Sequence, residues 1–345
     1  LGLFRLANSR GPTLDLFNQL IPYILLVVGF VVLIKGADWL VEGAASIART
    51  LGISDLIVGL TIVAFGTSAP ELLVNVLAAG QGSTDLAIGN VIGSNIANIL
   101  LILGVSAFIY PITVERNTVW KEIPFALLAA VLMGILPNDS MLEDSVGDGA
   151  RVSALTRIDG LVLLCFLSVF LYYVYEAARN SESPIPPEMK IEQRPVRVSV
   201  FMCIGGLVGL TLGGKWVVDG ALATADLFQV SEELVGLSLV AIGTSLPELA
   251  TGIVAALRKN SSIVVGNAVG SNIFNIFLVL GVSSTITELP LDTRSNADIM
   301  VMIVTTVLLF ASMFIGAPKY FIGRREGIFF LIVYVAYMVM VFIRG

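Results

Sequence analysis

Two short segments place a carboxylate where a carboxylate is costly. GTSAPEL occupies 66–72 and GTSLPEL occupies 243–249, both within apolar runs. Each sets a threonine and a serine ahead of a proline, Thr67 with Ser68 and Thr244 with Ser245, and a glutamate directly after it, Glu71 and Glu248. Proline lacks an N–H and clashes with the carbonyl four residues earlier. The spacing therefore predicts a helix kinked or unwound over 66–70, with backbone oxygens freed near Ala64 and Phe65, and a second break supplying Ala241. Irregular backbone at membrane depth is tolerated where it lines a cavity, and freed carbonyls suit a hard cation. Two longer segments follow, GNVIGSNIANILLILG at 89–104 and GNAVGSNIFNIFLVLG at 266–281. In them Asn90, Ser94 and Asn98 step by four and share one helix face, as do Asn267, Ser271 and Asn275. Gly89 with Gly93 and Gly266 with Gly270 are spaced for close helix packing.

If the two proline breaks meet, two carboxylates and many neutral oxygens converge on one point. Oxygen-only ligands with two negative charges suit calcium, which takes roughly six to eight oxygens. Sodium can use the same atoms. Zinc and copper would lack their nitrogen and sulfur ligands. Magnesium is disfavoured because it releases its waters reluctantly.

The elements that must position these residues are membrane helices. The chain is 56% hydrophobic and 13% charged, against roughly 25% charged in soluble domains. Ten apolar stretches lie near 20–48, 54–80, 86–110, 119–137, 158–178, 197–226, 234–257, 263–287, 297–316 and 327–343, against the length of about 20 residues that crosses a bilayer, which the first and sixth exceed. The motif copies are separated by a constant 177 residues, from Glu71 to Glu248 and from Asn98 to Asn275, and the same separation pairs Gly36 with Gly213, Trp39 with Trp216 and Gly43 with Gly220. Five spans separate each element from its copy. Five is odd, so the copies cross the membrane in opposite directions. The expected fold is an all-α polytopic membrane protein, ten transmembrane helices as two inverted-topology five-helix repeats, with a site near the midplane. Its parts are an N-terminal segment at 1–19, a first repeat at 20–178, a cytoplasmic connector at 179–196 and a second repeat at 197–345. With the N-terminus outside, twelve Lys and Arg fall in inner loops and six outside, so both termini are expected to be extracytoplasmic. Asp139, Glu143, Asp144 and Asp148 read as a solvated loop. Lys35 is expected to pair with Asp38 on its own helix, and Lys215 with Asp219.

Other functions are disfavoured. Zero histidines exclude Ser-His, Cys-His and HExxH sites, so an enzyme is not expected. The net charge is −6 without a basic run, so nucleic acid is not a partner. Cys165 and Cys203 sit in apolar runs as small hydrophobes. No cofactor and no obligate protein partner is evident. The partners are ions and the lipid bilayer.

The duplicated GTS-x-PEL and G-N-x-x-G-S-N-I-x-N motifs resemble the alpha repeats of the cation/calcium exchanger superfamily, most closely its prokaryotic sodium/calcium exchangers, over essentially the whole chain. The resemblance implies antiport of calcium against sodium across a plasma (inner) membrane by alternating access, with both ions sharing Glu71 and Glu248. Thr67, Ser68, Thr244, Ser245, Ser94, Ser271 and the carbonyls of Ala64 and Ala241 would complete the sites, with Asn98 and Asn275 beside them. The long helices at 20–48 and 197–226 would slide across the rest to switch access. Some relatives carry Asp where this chain has Asn275, which bears on sodium stoichiometry and on any potassium requirement. A proton/calcium exchanger is the alternative within the superfamily, and a passive cation channel the alternative outside it.

Overall fold

A computed structural model describes residues 12–81, 84–138, 153–180, 194–227, 241–292, 294–315 and 318–344. The acidic loop and most of the connector lie outside the described residues. The described residues are helical almost throughout, because a backbone in hydrocarbon must satisfy its own N–H and C=O groups. Among the described residues eight helices are long and apolar enough to cross a membrane, and a bent pair makes a ninth. The seventh expected stretch is described only from residue 241, where an apolar helix, Leu246–Leu257, continues it; residues 234–240 lie outside the described set.

In chain order, α1 is Pro12–Leu51, α2 is Asp55–Thr67 and α3 is Ala69–Gly80. Next, α4 (Thr84–Ala97) runs through a π-helical stretch, Asn98–Ile102, into α5 (Leu103–Ile109). Then come α6 (Arg116–Trp120), α7 (Glu122–Ile135), α8 (Arg157–Arg179) and α9 (Val196–Leu227). After α10 (Ala241–Thr244) and α11 (Leu246–Leu257), α12 (Ser261–Phe274) passes through a third π-helical stretch, Asn275–Leu280, into α13 (Gly281–Ile286), the first being Gly59–Val63 within α2. The last are α14 (Ser295–Ser312) and α15 (Arg324–Arg344). The segments at the centre are those carrying the longer motifs: 94% of the apolar window in Ser261–Ile286 is buried and 72% of that in Ala87–Ile109, against 17–39% for the other long helices.

The first helix of each half packs against the other in antiparallel register, Gly29 against Gly213, Gly36 against Gly206 and Gly43 against Ser199. Shifting one residue of the first contact up by 177 and the other down by 177 gives the second. The backbones touch: a β-carbon on Gly36 would lie 2.7 Å from the Leu210 nitrogen, and one on Gly213 2.6 Å from the Leu33 nitrogen. Small residues permit this approach, which van der Waals contact alone can stabilise in lipid.

Short strand pairs join the halves at the helix ends. β1 (Ile112–Thr113) pairs antiparallel with β4 (Phe321–Ile322), and β2 (Ala154–Leu155) with β3 (Leu289–Pro290). The Thr113 N–H donates to Ser261 Oγ at 3.3 Å, so the motif helix of the first half ends where that of the second begins. At the opposite end, α4 packs against β3.

The expected lysine pairings are corrected. Among the described residues no ion pair joins Lys35 to Asp38 or Lys215 to Asp219. Asp38 instead binds Arg258, with Nη2 at 2.5 Å and Nε at 3.0 Å from Oδ1. Arg258 also reaches Glu42 Oε2 at 3.1 Å, and Glu42 Oε1 takes Arg194 at 2.7 Å. A guanidinium spans two carboxylates with its planar array of donors, while Lys35 sits on the exposed side of α1. This cluster ties α1 and the start of α9 to the end of α11.

Candidate functional site

Each proline motif produces a break of one residue. Ser68 (φ −81°, ψ 0°) separates α2 from α3, and Ser245 (φ −86°, ψ 1°) separates α10 from α11. The prolines fall in the first turn of the new helix, where the missing N–H costs nothing. The break bends the first pair by 41°. It is narrower than the sequence suggested: the Ala64 carbonyl keeps its helical partner, accepting from the Ser68 N–H at 3.0 Å, with Thr67 Oγ1 3.3 Å away. The expectation of a carbonyl freed by unwinding is corrected for Ala64, because the chain re-forms helix immediately after Ser68. One lone pair of that oxygen can still face a ligand. Ala241 opens α10 at the corresponding point.

The motif side chains meet across the halves, and the threonine–asparagine contacts form a matched pair. Thr67 Oγ1 donates to Asn267 Oδ1 at 3.1 Å, and Thr244 Oγ1 to Asn90 Oδ1 at 2.9 Å. Ser245 Oγ lies 3.0 Å from Ser94 Oγ, and Thr67 Oγ1 lies 3.5 Å from Ser271 Oγ. Ser68 Oγ donates to Glu248 Oε1 at 3.4 Å. Glu71 and Glu248 lie within electrostatic reach of one another, at 0% and 1% exposure.

Two residues missed by the sequence reasoning hold this arrangement. Asn95 and Asn272 each donate to the other's backbone carbonyl, at 3.4 and 3.2 Å. Their side-chain oxygens then take the amide donors of the asparagines in the motif: Asn98 Nδ2 reaches Asn272 Oδ1 at 2.9 Å, and Asn275 Nδ2 reaches Asn95 Oδ1 at 3.1 Å. Both lie one residue off the 90/94/98 face, so the four-residue step passed over them. The duplicated GSN triplet was the available signal. A further buried acid, Glu122, accepts from the Tyr173 hydroxyl outside this network.

What remains is an excess of unpaired acceptors over the one orphaned donor of the motif residues, Asn90 Nδ2. Both carboxylate oxygens of Glu71, Oε2 of Glu248 and the Oδ1 atoms of Asn98 and Asn275 are buried and have no hydrogen-bond partner in the protein. Unpaired buried acceptors are expensive, and five of them, three carboxylate and two amide oxygens, fit a hard cation as substrate. Among the described residues no cluster of three or more His, Cys, Asp or Glu is placed to hold a metal, so the negative charge rests on the glutamate pair.

An all-helical membrane protein with duplicated, oxygen-rich broken helices is the class that this geometry defines. The profile of the family described as "Sodium/calcium exchanger protein" matches residues 21–176 and 198–343, and the chain belongs to that family. It is 38% identical over 330 residues to the putative antiporter CaxA of Alkalimonas amylolytica, covering 94% of this chain and 99% of that protein. It is 32% identical to the sodium/calcium exchanger MaX1 of Methanosarcina acetivorans, covering 93% and 98%. The solved structure of the sodium-calcium exchanger NCX_Mj soaked with 10 mM Na+ and zero Ca2+ superposes with a TM-score of 0.77 at 33% identity, covering 93% of this chain and 99% of that one. The chain is thus a multi-pass membrane protein of a cation/calcium exchanger family, resembling prokaryotic exchangers.

Proposed function

We propose that this protein is a secondary active antiporter that exchanges calcium for sodium by alternating access, with Glu71 and Glu248 as the shared central ligands. The observation that carries the reading is the set of buried, partnerless acceptors on those glutamates and on Asn98 and Asn275. Thr67, Ser68, Ser94, Thr244, Ser245 and Ser271, with the carbonyls of Ala64 and Ala241, complete the coordination. A divalent ion is balanced by the two carboxylates. Sodium ions replace it on the same oxygens. An unbalanced pair buried in low dielectric is costly to carry across the barrier, and that cost couples calcium movement to sodium movement in the opposite sense.

The reading includes ten spans in two inverted repeats, 20–178 and 197–345, joined by a cytoplasmic connector at 179–196. Support comes from the antiparallel contact of α1 with α9 and from the start of α12 lying beside the end of the preceding motif helix. The α1–α9 pair is the moving unit. Both termini are extracytoplasmic, and the host membrane is the plasma (inner) membrane, in keeping with the 35% identical inner membrane protein YrbG of Escherichia coli.

The test is calcium uptake into proteoliposomes driven by an outward sodium gradient, repeated with a proton gradient alone. Sodium-driven uptake is the expected result. Uptake driven only by protons reassigns the coupling ion, and uptake without any counter-ion gradient, discharging only a membrane potential, identifies a channel.

A further inference from the structure

The two halves differ one turn beyond their glutamates. Glu71 is followed four residues later by Asn75, while Glu248 is followed by Gly252. On α3 positions 71 and 75 share a face. Asn75 is fully buried, its Nδ2 donates to the Glu71 carbonyl at 2.8 Å, and its Oδ1 has no partner. One helical turn therefore presents three buried acceptors without a donor, the two oxygens of Glu71 and the amide oxygen of Asn75.

The second half cannot copy this. A β-carbon on Gly252 would lie 2.7 Å from Ile102 Cγ2 and 3.2 Å from Ser106 Oγ, so even alanine is crowded there. Among the elements that α3 packs against is α13, which carries Ser283, the copy of Ser106. Ser283 Oγ is itself buried and partnerless. A polar side chain that only filled space would do so at less cost as an apolar residue, since an orphaned buried oxygen loses its hydration for nothing.

We propose that Asn75 Oδ1 is a further cation-contacting group, serving a sodium ion held at Glu71, so that the two halves of the site are unequal. A neutral oxygen suits a monovalent ion: it adds a ligand without adding charge, whereas calcium is already balanced by the two glutamates. The inference rests on the exchange reading above.

The experiment measures half-saturating sodium, half-saturating calcium and maximal rate in proteoliposomes for wild type, Asn75→Leu, Asn75→Ser and Asn75→Gly, with thermal unfolding in detergent alongside. Asn75→Leu keeps the size and removes the oxygen. It should raise half-saturating sodium by about three- to tenfold, the worth of one lost polar contact, with the calcium value, maximal rate and unfolding temperature little changed. Asn75→Ser, which retains an oxygen, should fall between. Should the leucine variant fail to fold, Asn75→Gly carries the same expectation for half-saturating sodium, with a lowered unfolding temperature from the cavity and the helix-interior glycine, because the other half already holds glycine at this position. Unchanged half-saturating sodium, or a lower unfolding temperature and maximal rate at wild-type sodium dependence, overturns the proposal and leaves the exchange reading standing. A wild type without sodium-dependent calcium flux overturns both.

Discussion

The glutamates owe their chemistry to what is withheld from them. Hydroxyls and amides line the site, yet most of their donors are spent on one another, leaving oxygens facing inward. Removing one carboxylate by Glu71→Gln or Glu248→Gln leaves a bound calcium with a net positive charge in a medium where that is expensive. Each variant should insert normally and lose exchange by at least about a hundredfold, since an uncompensated buried charge costs several kcal/mol; near wild-type calcium flux at matched expression would contradict the site. Protons compete with cations for the same lone pairs. Calcium affinity should fall as pH is lowered, because each protonated glutamate removes one of the two charges that balance the ion. Calorimetric titration of purified protein at neutral and mildly acidic pH checks this, and a pH-independent isotherm would count against the glutamate pair. Amides rather than acids at positions 98 and 275 leave no extra charge for a second kind of monovalent ion. Sodium-driven uptake should therefore proceed equally with potassium or choline as the background cation. The motif residues were legible because polar groups repeated inside apolar runs are expensive to keep. Asn95 and Asn272 were not, because their role lies in a cross-half contact, and the sequence spacing of 177 does not say which residues touch.

At the scale of elements, apolar run length located nearly every helix, from α1 to α15. It could not reveal the π-helical stretches at Gly59–Val63, Asn98–Ile102 and Asn275–Leu280, since apolar residues fit either helix type and the choice is made by packing. Nor could it reveal strands of two residues, which are defined by their partners. The proline breaks were placed correctly but drawn too wide, as the retained partner of the Ala64 carbonyl indicates. The α1–α9 contact was not legible in the glycines, which the sequence paired only as repeat copies, Gly36 with Gly213, whereas the structure sets Gly36 against Gly206; its consequence is sharp. Gly36→Val puts a branched side chain against the backbone of α9, an overpacking that costs typically about 1–3 kcal/mol. Thermal unfolding in detergent should shift downward accordingly, whereas valine at Gly80, where an added β-carbon meets nothing within 4 Å, should leave packing intact. Equal shifts would mean that the helix pair tolerates separation.

Seen as a whole, the molecule is a packed block built around α12 and the 84–109 segment, with the α1–α9 pair laid across it. The pair touches that block not only through apolar surface but through Arg258, whose guanidinium at the end of α11 grips Asp38 and Glu42 on α1 while Arg194 holds Glu42 from the other side. Any travel of α1 along α11 must let go of Arg258 before the helices can settle elsewhere. The cluster is then a detent: it adds to the height of the step out of the arrangement seen here, and the residence time in that arrangement is set partly by charge. Partly exposed ion pairs are worth up to about 1 kcal/mol each, so releasing the cluster amounts to roughly a tenfold factor in rate. Salt weakens such pairs. Turnover should therefore rise with the concentration of an inert salt in the wild type and respond less in Arg258→Gln, which should also turn over faster at low ionic strength. A transporter built this way has its pace adjusted by the ionic strength at one membrane face, separately from the ions it carries.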